Sequence, residues 1–506
     1  MNRIFEKTGQ RPIVPSSTQV ILRKTCASGG RLLLLLIAIS PCSASAQKQG
    51  NMWYFGDGYG LDFNTTPPTL LNDGQTAPMV ACGDSHIEGT ASIADSSGGL
   101  LFYTDGHTIW NKNHQPMPNG TGLLGGTSST QAALIVPQSS SNTRYYVFTT
   151  DDFCNDLANG LRYSVVDICE DNKQGDIVDG FKNQLLLDTV AEKLAAVRHA
   201  NGEDFWVLVH KYFTNEFYAF QLTPQGIEEP VISSVGAVHE GGGANDMWRA
   251  LGQMKISPDG SRIGIGAMNG ADIFEVLDFD KSTGVVSVSI SLATATGAYG
   301  IEFSPDGSKL YQTPLLTQYD LTAGSAGAIL ASAYHYSDPH LECGNALQLG
   351  PDGKIYMYNC FDNDISVIHN PNEAGLNSNA EANVYVMPTN ALVYGLPSFV
   401  AGFDYSASGV CDPSIGVHEI ANESHSLSVF PNPSNTPTQL SYRSPQGTRP
   451  TLQLRDMLGR TVQTVQLLSH EGTYTLDAAG LGAGVYFCSL VSGAEVLATE
   501  KLVVQR

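Results

Sequence analysis

Three near copies of one segment, set at an almost constant interval, constrain this chain more than any other feature. Lys255-ISPDGSRIGIG, Glu302-FSPDGSKLYQT and Gln348-LGPDGKIYMYN place their prolines, Pro258, Pro305 and Pro351, 47 and 46 residues apart. In each copy an apolar strand meets a Pro-Asp-Gly turn, with Gly where positive φ is tolerated, and a second apolar or aromatic strand follows. A third strand comes after each, at Phe274-EVLDFD, Gln318-YDL and Ile365-SVIHNP. A strand unit recurring at this period reads as one blade of a β-propeller.

Weaker copies precede these three. Ala91-SIADSSGGLLFYTDG is followed by Thr108-IWN, Ala133-LIVPQSSSNTRYYVFTTD by Leu161-RYSVVD, and Leu194-AAVRHANGEDFWVLVHK by Glu216-FYAFQLT. A seventh unit assembles from both ends of the region, with Leu396-PSFVAGFDY as first strand, Asn51-MWYFGDG as second and Gly60-LDFNT as third. Such closure hides the edge strands of the ring. The expected fold is therefore all-β, a seven-bladed β-propeller over residues 47–408. No stretch shows helical periodicity of useful length, and Thr189 to Arg198 reads as one short helix or a strand.

The start of the chain has a different character. Arg3, Lys7, Arg11, Arg23, Lys24 and Arg31 face a single acid, Glu6, before the apolar run Leu32–Ile39 and the small-residue site Ala44-Ser45-Ala46. This is the pattern of a secretory signal peptide, residues 1–46, with cleavage expected after Ala46. The run is too short for the roughly 20 apolar residues of a membrane-spanning helix, so the mature chain is expected not to be transmembrane. Pro41 stands where a lipoprotein signal needs a small residue before Cys42. Without residues 1–46 the chain has 21 basic and 48 acidic side chains, a net charge of −27. That surface repels phosphate backbones and anionic headgroups, which argues against nucleic acid as a partner.

Seven cysteines remain after the leader, with no C-x-x-C pair to suggest zinc or redox chemistry. Export favours disulfides. Cys343 and Cys360 flank a strand-turn-strand centred on Pro351, and Cys154 and Cys169 flank a turn at Asn159-Gly160, so each pair is expected to bridge its hairpin. One cysteine of the seven is left free.

Beyond Tyr405 strand alternation stops, and residues 409–426 read as a linker. Residues 427–506 then return to short alternating segments between turn residues, the pattern of a small β-sandwich. Within it stand Val429-Phe430-Pro431-Asn432-Pro433, Asp456-Met457-Leu458-Gly459-Arg460, Gly484-Val485-Tyr486 and, at the terminus, Lys501-Leu502-Val503-Val504. In order, spacing and position these motifs resemble the type A C-terminal sorting domain of type IX secretion. The resemblance implies an immunoglobulin-like sandwich, the type IX machinery as partner, and delivery to the outer face of the outer membrane or release. Each motif residue has an expected folding role. Pro431 and Pro433 stop the first strand around Asn432, Asp456 and Gly459 build a hairpin turn, and Gly484 permits close strand approach beside Tyr486.

The propeller region is also similar to secreted WD-repeat-like or Tol-B-like propellers that carry this sorting domain. Trp53–Gly56, Glu88–Ser92, Leu100–Gly106, Ser128–Gln131 and Tyr145–Thr149 carry that similarity. It implies fold and export, and no activity.

Chemistry-bearing constellations are sparse. His86 and Glu88 approach a strand start near the expected face of the ring, while His107, His114, His199 and His210 are scattered without metal-ligand spacing. Asp151, Asp152 and Asp156, or Asp362 and Asp364, offer carboxylates to calcium but lack the form of a calcium loop. Gly-x-Ser-x-Gly and the sialidase Asp-box are absent, so no catalytic residue and no cofactor is assigned. Among Trp53, Tyr54, Phe55, Tyr59, Trp110, Trp206 and Trp248, most are expected between blades, with a few free to stack on carbohydrate. Asp188-Thr189-Val190 resembles a short bacterial O-glycosylation acceptor. The sequence thus favours a surface binding or adhesion module for glycan or protein. The alternatives are a hydrolase or lyase with a central-channel site, and a structural part of the envelope or gliding apparatus.

Overall fold

The computed structural model describes residues 47–504 except 57, 76–87, 140, 242–246, 269–272, 293–296, 343, 360–363, 388–394, 406–410, 412–425, 431, 433, 435–436, 445–448, 457–459, 478–479 and 493–494. The leader, His86, Cys343, Cys360, Asp362, Pro431, Pro433 and Gly459 lie outside the described residues.

The chain is all-β and β-propeller-like. Thr90–Ala94, Leu100–Thr104, Thr108–Asn111 and Pro116–Thr121 form one antiparallel sheet in consecutive order. The same consecutive antiparallel order recurs in the sheets within 133–187, 190–234, 254–291, 301–335 and 344–386. A three-stranded sheet, Met52–Phe55, Tyr59–Asp62 and Thr69–Leu71, precedes them. The repeated hairpins sit where the copies place them. Ser257 and Ser304 donate through Oγ to Asp259 and Asp306 at 2.6 and 2.8 Å, and the amides of Gly260 and Gly307, both at positive φ, close on the carbonyls of Ser257 and Ser304. Side chain and glycine together make each turn independently of the packing around it.

Burial falls from the first strand of each sheet to the last. Thr90–Ala94 and Ala133–Pro137 are buried throughout, whereas Pro116–Thr121 and Ala380–Val386 are largely exposed or half-buried. The segment Thr189 to Arg198, open between helix and strand in sequence, is the buried strand Val190–Arg198. One core joins both ends of the propeller region: Trp53, Phe55, Ile93, Leu396, Phe399 and Tyr405 belong to it, with the Trp53 and Phe399 ring centroids 5.6 Å apart. Tyr405 also donates its amide to Gln47 Oε1 at 2.7 Å.

The closing strand pairs differently from the expectation. Pro397–Ser398 runs parallel to Thr90–Ala91 and extends that sheet, instead of pairing with Met52–Phe55. The reason lies in the edge it needed. The Thr90 and Ser92 hydroxyls donate to the carbonyls of Tyr54 and Met52 at 3.0 and 2.6 Å and so occupy it.

The expected Cys154–Cys169 bridge is also corrected, because Cys169 is disulfide-bonded to Cys411, 242 residues away. Cys154 sits in the turn that opens Leu161–Asp167 and Cys169 lies past its far end, so a whole strand of about 3.3 Å per residue separates them. Cys154 is itself disulfide-bonded.

In the tail, Ser426–Phe430, Thr438–Arg443 and Glu471–Leu476 form one sheet, and Thr461–Gln466, Thr451–Asp456, Gly484–Ser492 and Glu495–Val504 form another. Leu440, Leu452, Leu454, Leu476, Leu490 and Leu502 fill a common core with the free, buried Cys488. No described helix is long and apolar enough to cross a membrane.

Candidate functional site

The first strands of the propeller sheets begin close together, and glycine makes that approach feasible. A Cβ on Gly89 would stand 1.9 Å from the amide nitrogen of Ala132, and one on Gly300 would stand 2.1 Å from the carbonyl oxygen of Asn345. Glutamines then strap neighbouring first strands. Gln131 Oε1 accepts from the amides of Leu194 and Met254 at 3.3 and 2.8 Å, and its Nε2 donates to their carbonyls at 3.0 and 3.2 Å. Gln253 Oε1 accepts from Ile301 and Leu347 at 3.0 and 3.1 Å. Deeper still, Lys255 lies 3.3 Å from Glu302 and donates to Gln348, beside a cavity of ≈ 30 Å³ bounded on one side by Phe399 and Gly402. A cavity of that size holds a water or two, against the roughly 300 Å³ and more of a ligand pocket.

At the end of these strands a carboxyl cluster collects. Glu192, fully buried on Val190–Arg198, accepts from the Thr130 amide at 2.9 Å, the Thr130 hydroxyl at 3.0 Å and the Phe153 amide at 2.9 Å. Glu88, half-buried just before Thr90–Ala94, accepts from the Tyr299 hydroxyl at 2.6 Å and the Ser128 hydroxyl at 3.5 Å. Burial, then the facing Glu192, pushes the Glu88 carboxyl up to about 8. Burial raises Glu192 to about 7 against the pull of its donors, and burial together with Asp151 raises Asp152. Such carboxyls hold protons near neutral pH and can give or take them.

Beside them lies a buried basic group. Lys193 donates to the carbonyls of Ala250 and Leu251 at 2.6 and 3.0 Å, and burial lowers its amine to about 7. His210 and His239 are fully buried with ring centroids 3.9 Å apart. Burial, then the nearby charge of Lys193, lowers His210 to about 3, and burial followed by His210 lowers His239. Both imidazoles are therefore neutral.

The sequence candidates divide. Glu88 and Asp152 enter the cluster, and His210 stands next to it. Asp151 accepts from Asn155 and Asn159 at 2.8 and 2.7 Å, Asp152 caps the turn at the Asn155 amide, and Asp156 takes the left-handed position ending that turn. These carboxylates serve the local turn, and among the described residues no group of three or more His, Cys, Asp or Glu is arranged to hold a metal ion. Asp364 is buried at the start of Asp364–Ile368, His107 and His199 stand in other loops, and His114 lies 3.8 Å from Asp73 beside the stacked Tyr54 and Tyr103. Trp53, Tyr54, Phe55, Trp110 and Trp206 are buried in the core, and Thr189 is half-buried at positive φ. Glu192, Lys193, Thr130 and Tyr299 were not singled out in sequence. The signal available for two of them was an acid and a base, Glu192-Lys193, inside an otherwise apolar strand.

In the tail, Asn432 holds the last strand: its Nδ2 donates to the Lys501 carbonyl and its Oδ1 accepts from the Val503 amide at 2.8 Å. Asp456 accepts from the Arg460 amide at 3.0 Å across the hairpin joining Thr451–Asp456 to Thr461–Gln466. Tyr486 donates to the Gly482 carbonyl at 3.0 Å. Gly484 does not serve close approach, since a Cβ there would meet nothing within 4 Å.

Residues 428–505 match the family described as secretion system C-terminal sorting domain. This type IX sorting tail makes the chain a secreted, cell-surface protein. No curated protein matches the sequence. Among solved structures, PorZ, a surface component of the type IX secretion system of Porphyromonas gingivalis, is 13% identical with a TM-score of 0.32, over 88% of this chain and 63% of PorZ. This chain thus spans less than two thirds of PorZ. The Dos1 propeller is 11% identical with a TM-score of 0.36, over 67% of this chain and 80% of that one. Streptogramin B lyase is 11% identical with a TM-score of 0.35, over 69% of this chain and 88% of the lyase. Likenesses this distant carry no argument about activity.

Proposed function

We propose that this protein is a non-catalytic binding or adhesion module, a seven-bladed, WD-repeat-like propeller displayed on the outer face of the outer membrane. In this reading residues 1–46 are a signal peptide, 47–408 the propeller, 409–426 a linker, and 427–506 an immunoglobulin-like type A sorting domain that engages the type IX machinery. The observation that carries it is the filled axis. Among the described residues, Gln131, Gln253, Lys255, Glu302 and Gln348 bond to one another and to the strands around them, beside a cavity of ≈ 30 Å³. Recognition then falls to the loops of the face, on a rigid support suited to a glycan or protein ligand. A glycan and protein binding screen of the mature chain, residues 47–506, tests it. Saturable binding without turnover of the ligand is expected, and turnover would overturn the reading.

A second reading, a hydrolase or lyase at the axial end, is favoured by one observation: the convergence of Glu88, Glu192 and Asp152. It requires that Glu88→Gln abolish a measurable bond-cleaving activity while leaving ligand binding in place.

A further inference from the structure

The carboxyl cluster has an uneven supply of donors. Glu192 is met by two amides and a hydroxyl, and Lys193 is adjacent to it. Among the described residues Glu88 is met by the hydroxyls of Tyr299 and Ser128 alone, the second at 3.5 Å. Its contact with Tyr299 joins residues 211 apart, tying the start of sheet 90–121 to the start of sheet 301–335. Among the described residues the ionisable groups around it are Glu192 and Lys193 on Val190–Arg198, Asp152 with Asp151 in the turn after Arg144–Thr150, and Tyr299 before Ile301–Phe303. His210 and His239 beyond Lys193 are neutral.

We propose that Glu88 is a proton-held latch across the axial end of the propeller: protonated, it bridges to Tyr299 without adding charge, and its ionisation sets a further negative charge beside Glu192 and Asp152 and loosens that end. Ionised Glu192 is accommodated by its donors and by Lys193. A further negative charge on Glu88, facing Glu192 and Asp152, is met among the described residues by two hydroxyls and no backbone amide. The sign follows from proton binding. The folded chain keeps a proton to about 8 that an unfolded glutamate releases near 4.5, so the latch stabilises the fold at low pH and loses that contribution as pH rises towards 8. The protein would therefore close its axial end in acid and loosen it in mildly alkaline surroundings.

The test uses the mature chain and its Glu88→Gln and Tyr299→Phe variants. The fall in Tm between about pH 6 and pH 9 should be at least halved in Glu88→Gln, whose amide keeps the bridge without the charge. The infrared band of a protonated carboxylic acid should be present in the wild type at pH 6, gone by pH 9, and diminished in Glu88→Gln. Tyr299→Phe removes a donor that favours the ionised form, so its band should persist to higher pH, a shift that a packing role alone would not produce. A wild-type slope in Glu88→Gln would overturn the proposal. So would the lack of a protonated-carboxyl band at pH 6, which decides the matter even if Glu88→Gln does not fold.

Discussion

At the scale of single residues, positions with the same side chain have opposite consequences. Gly300 has a Cβ path blocked at 2.1 Å by the Asn345 carbonyl and at 2.6 Å by the Thr313 hydroxyl. Gly327 sits in the short helix Ala326–Ala331 with nothing within 4 Å. Gly300→Ala should cost about 3 kcal/mol in denaturant unfolding, whereas Gly327→Ala should gain about 0.5–1 kcal/mol by removing backbone freedom from the unfolded chain. Equal effects would mean that the close approach of first strands is misplaced. Residue-scale chemistry was legible where it is local. The Asp and Gly of the repeated turns act within a few residues, so their roles could be read directly. Glu88 could be placed near the face of the ring, but its partners Tyr299 and Glu192 come from strands far apart in sequence, and nothing local announces such a meeting. The Glu192-Lys193 pair was readable as an anomaly, because charge in a buried strand must be satisfied. Its satisfaction by Thr130, Phe153 and the Ala250 carbonyl was not.

At the scale of elements, strands that are buried on both faces or alternate cleanly announced themselves, and the outer ones did not. Pro116–Thr121 is largely exposed and Tyr334–His335 is two residues long; the first, with its two prolines, resembles a loop. Closure of the propeller region was misread for a related reason. Side-chain pattern placed the segment after Leu396 at the right neighbours, Trp53 included, but the free edge was decided by the Thr90 and Ser92 hydroxyls, which no periodicity reveals. The Cys169–Cys411 bond ties the chain beyond Pro397–Ser398 covalently to the region of the sheet within 133–187. Constraining 242 residues of the unfolded chain stabilises by up to ~5 kcal/mol. Cys411→Ser should therefore lower the Tm of the mature chain under non-reducing conditions, and a reductant should lower the wild type towards the variant without lowering the variant equally. In the tail, Asn432→Ala removes two hydrogen bonds to the last strand and should destabilise that domain by about 1–2 kcal/mol, seen as faster amide exchange in Glu495–Val504.

At the scale of the whole molecule, the chain carries two kinds of information that barely overlap. Its tail was legible in sequence as a sorting domain, because such motifs are short and ordered, although the role read for Gly484 was not the one it has. Its propeller was legible as a repeat, because each sheet must bury its faces against the next and so repeats the same apolar strands. A ligand was not legible, since the loop recognition proposed above would leave no periodicity. Residues 427–506 are expected to send the protein to the surface, and the propeller to fold without them. Deleting those residues and following the truncated chain by cell fractionation, protease shaving and circular dichroism should give a folded, β-rich propeller retained in the periplasm and missing from the cell surface and medium. A truncated chain that still reached the surface or the medium would contradict that role of the tail.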